Sequence, residues 1–206
     1  MRSIQKILSE SHKWAENDHK LEIYFKYIEV KVENCVYIIS GPPGVGKSTV
    51  SKELAYSFDK SAVIEGDMIY LMIKSGLVAP WEDDGFYMDL FWDNIISLTN
   101  NFLNSGITVV IEYVIFEDQL KKIAAFLKEK QIKLKYCVLI AEEETLKDRD
   151  SSRKEIERTG DLSIQARNEF LAKNSEKYHF LFTDDLDVKE TVGIIKTSNQ
   201  FLISEQ

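Results

Sequence analysis

Eight consecutive residues, Gly41-Pro42-Pro43-Gly44-Val45-Gly46-Lys47-Ser48, constrain this chain more than any other feature. They fit the pattern G-x-x-x-x-G-K-[ST] without a gap. The apolar run Val36-Tyr37-Ile38-Ile39 precedes them, and a helical pattern from Ser48 to Phe58 follows. Strand, glycine loop and helix in that order make a cradle for phosphate. Gly41, Gly44 and Gly46 let the backbone curl, so that successive N–H groups, that of Val45 included, converge on phosphate oxygens. The helix that begins near Lys47 adds the positive end of its dipole. Lys47 is placed to bridge the β- and γ-phosphates of a nucleotide, Ser48 to offer its hydroxyl to Mg²⁺, and Thr49 to reach the α-phosphate.

The rest of the chain repeats the alternation of strand and helix. Apolar runs at Ala62–Ile64, Thr108–Ile111, Leu134–Ile140 and His179–Thr183 read as further strands. Between them lie helical stretches at Met68–Lys74, Tyr87–Leu103, Asp118–Lys130, Glu142 to about Glu157, and Ala166–Leu171, with a last one at Val188–Lys196. Strands separated by helices imply parallel crossovers. The expected fold is α/β: a three-layer P-loop NTPase architecture with a five-stranded parallel sheet. Residues 1–34 read as an amino-terminal helical or extended appendage, with Ile4, Ile7, Leu8, Ser11 and Trp14 on one helical face, and residues 35–206 as the nucleotide-binding domain.

Charge narrows the partners. The 206 residues hold 26 Lys and Arg against 34 Asp and Glu, a net charge of −8, so the whole-molecule field repels nucleic acid and anionic membranes. A bound polyanion must be held by a local site, which the glycine loop supplies. No stretch approaches the roughly 18 apolar residues of a membrane span, and the amino terminus lacks the apolar core of a signal peptide. Cys35 and Cys137 each sit in an apolar run, which favours buried thiols. These features point to a cytoplasmic protein with neither nucleic acid nor membrane as partner. His12, His19 and His179 show no ligand spacing.

Beyond the loop, chemistry concentrates at the ends of strands. Glu112 closes the run Thr108-Val109-Val110-Ile111, where an unpaired carboxylate would carry a desolvation cost; a water-mediated contact to Mg²⁺ explains it better. Tyr113 beside it either lines an acceptor pocket or packs in the core. No Asn-Lys-x-Asp tetrapeptide is present to read guanine, which argues against a GTPase switch.

At this point the sequence resembles the small P-loop kinases typified by gluconate kinase, shikimate kinase and chloramphenicol phosphotransferase, and more closely the bacillus-type gluconate-kinase-like proteins. The resemblance runs from about Val36 to Phe201 and includes Glu65-Gly66-Asp67, Pro80-Trp81-Glu82 and Arg149-x-x-x-Arg153. It implies an ATP- and Mg²⁺-dependent phosphotransferase acting on a small-molecule hydroxyl, such as a sugar, polyol or drug. Asp67 would then meet the acceptor hydroxyl, though Asp there also suits a helix N-cap. Glu65 would be an acceptor contact or a solvated loop residue. Trp81, beside Glu82, Asp83 and Asp84, would belong to the acceptor site. Arg149 and Arg153, four apart on one helix face, would form a lid around residues 145–165; a solvated helix pairing them with Glu142–Glu144, Asp148, Asp150 and Glu155 is the other reading. A nucleotide or nucleoside kinase remains open, as do an antibiotic phosphotransferase, a zeta-toxin-like kinase and a nucleotide-binding regulator without efficient transfer. A nucleotide kinase would want arginines for the acceptor phosphate, and none occurs from Glu65 to Glu112.

Overall fold

The computed structural model describes residues 34–80, 82–155, 158–173 and 179–203. The expected amphipathic segment near the amino terminus and Trp81 lie outside the described residues. Apolar runs buried on both faces become the strands: β1 (Cys35–Ser40), β2 (Ser61–Glu65), β3 (Thr108–Glu112), β4 (Lys133–Ile140) and β5 (Phe180–Phe182). They form one sheet in the order β2-β3-β1-β4-β5, with every neighbouring pair parallel. The expected five-stranded parallel α/β architecture is therefore the observed one.

The helices are α1 (Lys47–Tyr56), α2 (Gly66–Tyr70), α3 (Phe86–Asn104), α4 (Lys121–Glu129), α5 (Glu143–Ser151), α6 (Asp161–Lys173) and α7 (Val188–Thr197). Four of them depart clearly from expectation. The helix expected at Ala166–Leu171 runs from Asp161 to Lys173. The helix expected from Met68 starts at Gly66 and ends at Tyr70. The one expected from Asp118 opens as a tighter turn at Glu117–Leu120 before α4. The long charged helix expected from Glu142 stops at Ser151, because the hydroxyls of Ser151 and Ser152 donate back to the carbonyls of Asp148 (2.8 Å) and Arg149 (2.7 Å).

Alternation along β1 divides the core into two layers. Val36 and Ile38 face a cluster with Ile64, Phe91, Ile95, Ile111 and Phe170, while Tyr37 and Ile39 face one with Val50, Leu54, Leu139, Ile195 and Phe201. From β1 the chain moves to β2 on one side of the sheet, and after β3 it crosses to β4 on the other. The loop after β1 thus opens at the switch point, where the carboxyl ends of parallel strands leave a crevice.

Charged residues are also built into this scaffold. Lys135 lies buried in β4 and donates to the carbonyls of Ile195 (3.0 Å) and Lys196 (2.5 Å), closing the carboxyl end of α7 with a cation. Its ammonium also sits 5.7 Å from the Tyr37 ring centroid. Lys135→Met keeps the stem and removes both bonds, so we expect a loss of about 2 kcal/mol, read as a lower urea midpoint at unchanged slope; an unchanged midpoint would refute the capping role.

Candidate active site at the carboxyl ends of the strands

The loop after β1 is held from below. The Ser40 hydroxyl donates to the Ile115 carbonyl (2.8 Å) and accepts from the Ile115 amide (2.9 Å), and the Tyr136 hydroxyl donates to the same carbonyl (2.7 Å). These bonds fix the end of β1 to the segment after β3. Gly41 has φ 134°, and a Cβ there would press into the Leu139 carbonyl; Gly46, at φ 108°, is the left-handed residue from which α1 departs. Lys47 is buried, and its Nζ donates to the Pro42 carbonyl within the same loop at 3.1 Å. Thr49 is exposed on the first turn of α1.

Strand register brings the carboxylates to this loop. Glu112 pairs with Ile39 on one side and with Glu65 on the other, at the last positions of β2 and β3 and the penultimate position of β1. The Ser48 hydroxyl donates to Glu112 Oε2 at 3.3 Å. Burial pushes the Glu112 carboxyl above its usual range; Lys47 and the Ser48 bond oppose this, and Asp67 and Glu65 reinforce it. Burial likewise lowers the Lys47 ammonium, with Glu112 and Asp67 raising it and Arg153 lowering it further. Lys47, Ser48, Glu65, Asp67, Glu112 and Arg153 therefore act on one another in one electrostatic neighbourhood.

Asp67 is not the N-cap that its residue type allows. Glu65 occupies that position with extended backbone and makes no side-chain cap bond, while Asp67 lies exposed in the first turn of α2. Its charge acts on Lys47, Glu112 and Tyr113. Glu65 pairs with Lys52 at 3.1 Å. Gly66 is required by close approach: a Cβ there would lie 2.7 Å from atoms of Tyr113, whose ring packs against Phe91 at 4.7 Å between centroids. Burial, and next the Asp67 charge, push the Tyr113 hydroxyl far up, so it stays protonated.

The acidic loop is also committed elsewhere. Asp83 accepts from the amides of Tyr87 (3.1 Å) and Met88 (2.8 Å), and Asp84 from that of Phe86 (3.3 Å), so these carboxylates serve the start of α3. Trp81 lies outside the described residues.

Arg149 and Arg153 do not share a helix, since α5 ends between them. Arg149 instead ties two loops together: it donates to the Val45 carbonyl in the glycine loop (3.0 Å) and to the hydroxyl (3.1 Å) and carbonyl (2.9 Å) of Thr183 after β5. Arg158 turns back onto the carbonyls of Arg153 (3.2 Å) and Ser151 (2.8 Å). The organiser of this turn is Asp150, which accepts from the amides of Thr159 (2.9 Å) and Gly160 (2.9 Å) and from the Thr159 hydroxyl (3.1 Å). None of the carboxylates expected to pair with Arg149 on its own helix does so by a described ion pair; Glu142 pairs with Arg167 at 2.7 Å.

Arg167 and Ser163 escaped sequence reasoning. Arg167 also donates to the Ala141 carbonyl at the end of β4 (2.7 Å). The signal was an inner stripe of α6 that reads Ser163, Arg167, Phe170: a cation at a core position needs an internal partner. Ser163 Oγ lies 3.6 Å from where a Gly44 Cβ would stand, so α6 begins against the glycine loop.

A glycine loop at the switch point of a parallel sheet, with a lysine, a hydroxyl and carboxylates converging on it, defines a P-loop protein of kinase-like architecture. A family model described as an AAA domain matches residues 38–170, and the chain belongs to that family. No curated protein matches the sequence. Among solved structures, a tunicamycin resistance protein from Deinococcus radiodurans is similar at TM-score 0.55 and 16% identity, over 83% of this chain and 98% of that one. A gluconokinase from Sinorhizobium meliloti is similar at TM-score 0.56 and 19% identity, over 79% of this chain and 89% of that one. A sugar kinase from a Janibacter species reaches TM-score 0.51 at 15% identity, over 78% and 88%. These likenesses establish the shared fold.

The bonds from Thr159 and Gly160 hold the Asp150 carboxyl below its ordinary 3.8. A carboxyl depressed in the folded state contributes stability that is complete above the unfolded value and lost as pH falls through the folded one. Amide exchange at Thr159 and Gly160 should therefore quicken beyond its intrinsic pH trend only below pH 3.8, and should be fast at every pH in Asp150→Ala. Equal protection in that variant at pH 6 would show that Asp150 does not organise the turn.

Proposed function

We propose that this protein is an ATP- and Mg²⁺-dependent kinase that transfers the γ-phosphoryl group to a hydroxyl of a small molecule. The observation that carries this reading is the convergence of Lys47, Ser48, Glu112 and Asp67 at the carboxyl edge of β1, β2 and β3. A phosphate cradle alone serves many P-loop proteins; a cradle with an exposed carboxylate in the electrostatic range of its lysine is what phosphoryl transfer to a hydroxyl requires.

The amides around Gly41, Gly44, Val45 and Gly46 bind the phosphate chain, and Lys47 exchanges its bond to the Pro42 carbonyl for phosphate oxygens. Thr49 lies beyond them toward the α-phosphate. Ser48 and Glu112 offer hard oxygen donors 3.3 Å apart, a set that suits Mg²⁺ shared with nucleotide phosphates. When bound, that ion would neutralise charge on the β- and γ-phosphates. Asp67 orients the acceptor hydroxyl and takes its proton as the new bond forms. Glu65 sits at the rim of the acceptor region, Tyr113 forms its wall, and Trp81 is assigned to the same region by resemblance alone. Arg153 opposes charge developing on the transferred group, while Arg149 holds the glycine loop against the loop after β5. The segment from 145 to 165 is the lid.

A nucleoside monophosphate kinase is the second reading, and the run from Glu65 to Glu112 without an arginine weighs against it. A regulator that binds nucleotide without transfer would not need a carboxylate at position 67.

With labelled ATP and pooled hydroxyl acceptors, Asp67→Asn should lower kcat by about 10²- to 10⁴-fold while leaving ATP affinity within about threefold. Lys47→Ala should abolish transfer. Full transfer in Asp67→Asn would remove the proposed role, and hydrolysis indifferent to every acceptor would favour the regulator.

A further inference from the structure

The face that carries Asp67 is otherwise apolar. Met68 and Met72 are 63% and 66% exposed, and Leu71 between them is exposed as well. The Leu71 amide donates to the Asp67 carbonyl at 2.9 Å, so the helical course continues past the end of α2. Asp67 and Leu71 consequently stand one turn apart on one side, with Met68 and Met72, also one turn apart, on the adjoining side.

Beside it, α3 presents Phe86, 66% exposed, and Leu90 one turn later. The two elements are joined by the Tyr87 hydroxyl, which donates to the Gly76 carbonyl (2.7 Å), by the Tyr70 hydroxyl, which donates to the Val78 carbonyl (3.2 Å), and by the Tyr70–Phe91 ring contact at 6.2 Å. Leu77, also exposed, lies within that joined segment. Beneath run the packed rings of Phe91 and Tyr113.

Clustered apolar side chains left in water mark a place where something binds. A stable protein interface takes roughly 20–30 residues a side. Six exposed apolar side chains on α2, α3 and the segment joining them, with one carboxylate on α2, match the make-up of a small-ligand site, mostly apolar with a few placed polar groups. Methionine suits such a site because its thioether chain adapts to the shape of the ligand. Charge restricts the ligand further. From Glu65 to Leu120 the sequence holds a single cation, Lys74, while Glu65, Asp67 and Glu112 cluster at the transfer site. An acceptor bearing a carboxylate or phosphate would meet repulsion there.

We propose that the acceptor is an uncharged amphiphilic alcohol, with its hydroxyl at Asp67 and its alkyl or aryl body over Met68, Leu71, Met72 and Phe86. This rests on the kinase reading above and narrows its acceptor. In the transfer, the alcohol oxygen forms a bond to the γ-phosphorus, and the bond from that phosphorus to the β–γ bridging oxygen breaks with its electron pair, leaving ADP. The hydroxyl proton passes to the Asp67 carboxylate.

The test compares n-butanol, n-hexanol and n-octanol with glycerol and sorbitol as acceptors, using labelled ATP and Mg²⁺ and the full chain. Burial of each added methylene should raise kcat/KM about fourfold. In Met68→Ser/Met72→Ser the rise should flatten, with calorimetric ATP binding reporting an intact fold. Tyr56→Ser, at the far end of α1, removes an even more exposed aromatic side chain and should leave the rise in place. Transfer to glycerol or sorbitol with no gain along the alkanol series would overturn the amphiphile while leaving a kinase. Transfer to no acceptor in either series would remove both readings. A dimer in sedimentation that the double variant breaks, with the alkanol series unchanged, would make the patch a self-association surface instead.

Discussion

The mutual influence of two buried charges, Lys47 and Glu112, is the constraint on which the rest of the site depends. Burial pushes the ammonium and the carboxyl each toward its neutral form, and the charge of each opposes that push on the other. The pair exists because the glycine loop returns the chain over the end of β1 and because the β1–β3 register sets Glu112 opposite Ile39, the penultimate residue of β1. Ser48, one residue beyond the lysine, then reaches the same carboxylate. Parallel pairing, left-handed glycines and a buried charge pair are thus one arrangement seen at three scales.

The far side of the loop is tied by a different device. Arg149 joins Val45 to Thr183, and Arg167 joins the end of β4 to α6, so loops that follow β1, β4 and β5 share guanidinium bridges. A planar guanidinium can serve several carbonyls at once, which a lysine cannot. The turn after α5 hangs from Asp150 alone among the described carboxylates, and Arg153 rides on that turn. The turn that carries Arg153 is therefore fixed by Asp150, one residue before the end of α5.

What was legible in the sequence followed from local rules. The loop motif, the apolar runs and the period change between them lead directly to the parallel sheet, and Glu112 at a strand end follows from the cost of burying a carboxylate unpaired. What was not legible depended on where chains end and on long-range partners. Arg149 and Arg153 look like one helix face until two serines close the helix at Ser151. Asp83 and Asp84 look like a solvated or ligand-facing acidic loop until they are seen to take up amides at the start of α3. Arg167 pairs with groups 25 or more positions away, a distance at which no spacing rule speaks.

The net charge of −8 gains its meaning here. A protein that recognised its nucleotide by a basic surface would attract every polyanion in its surroundings. This one offers backbone amides, one buried lysine and carboxylates to the phosphate crevice. Amides carry no net charge and act only at hydrogen-bond distance, so selection occurs in the loop and not in the long-range field. Glu65, Asp67 and Glu112 make the same crevice hostile to a phosphate that arrives without compensating charge. Divalent cation and nucleotide entering together meet that requirement, whereas an anionic acceptor entering alone does not. The net charge of −8 and the carboxylates gathered beside the glycine loop thereby belong to one charge distribution.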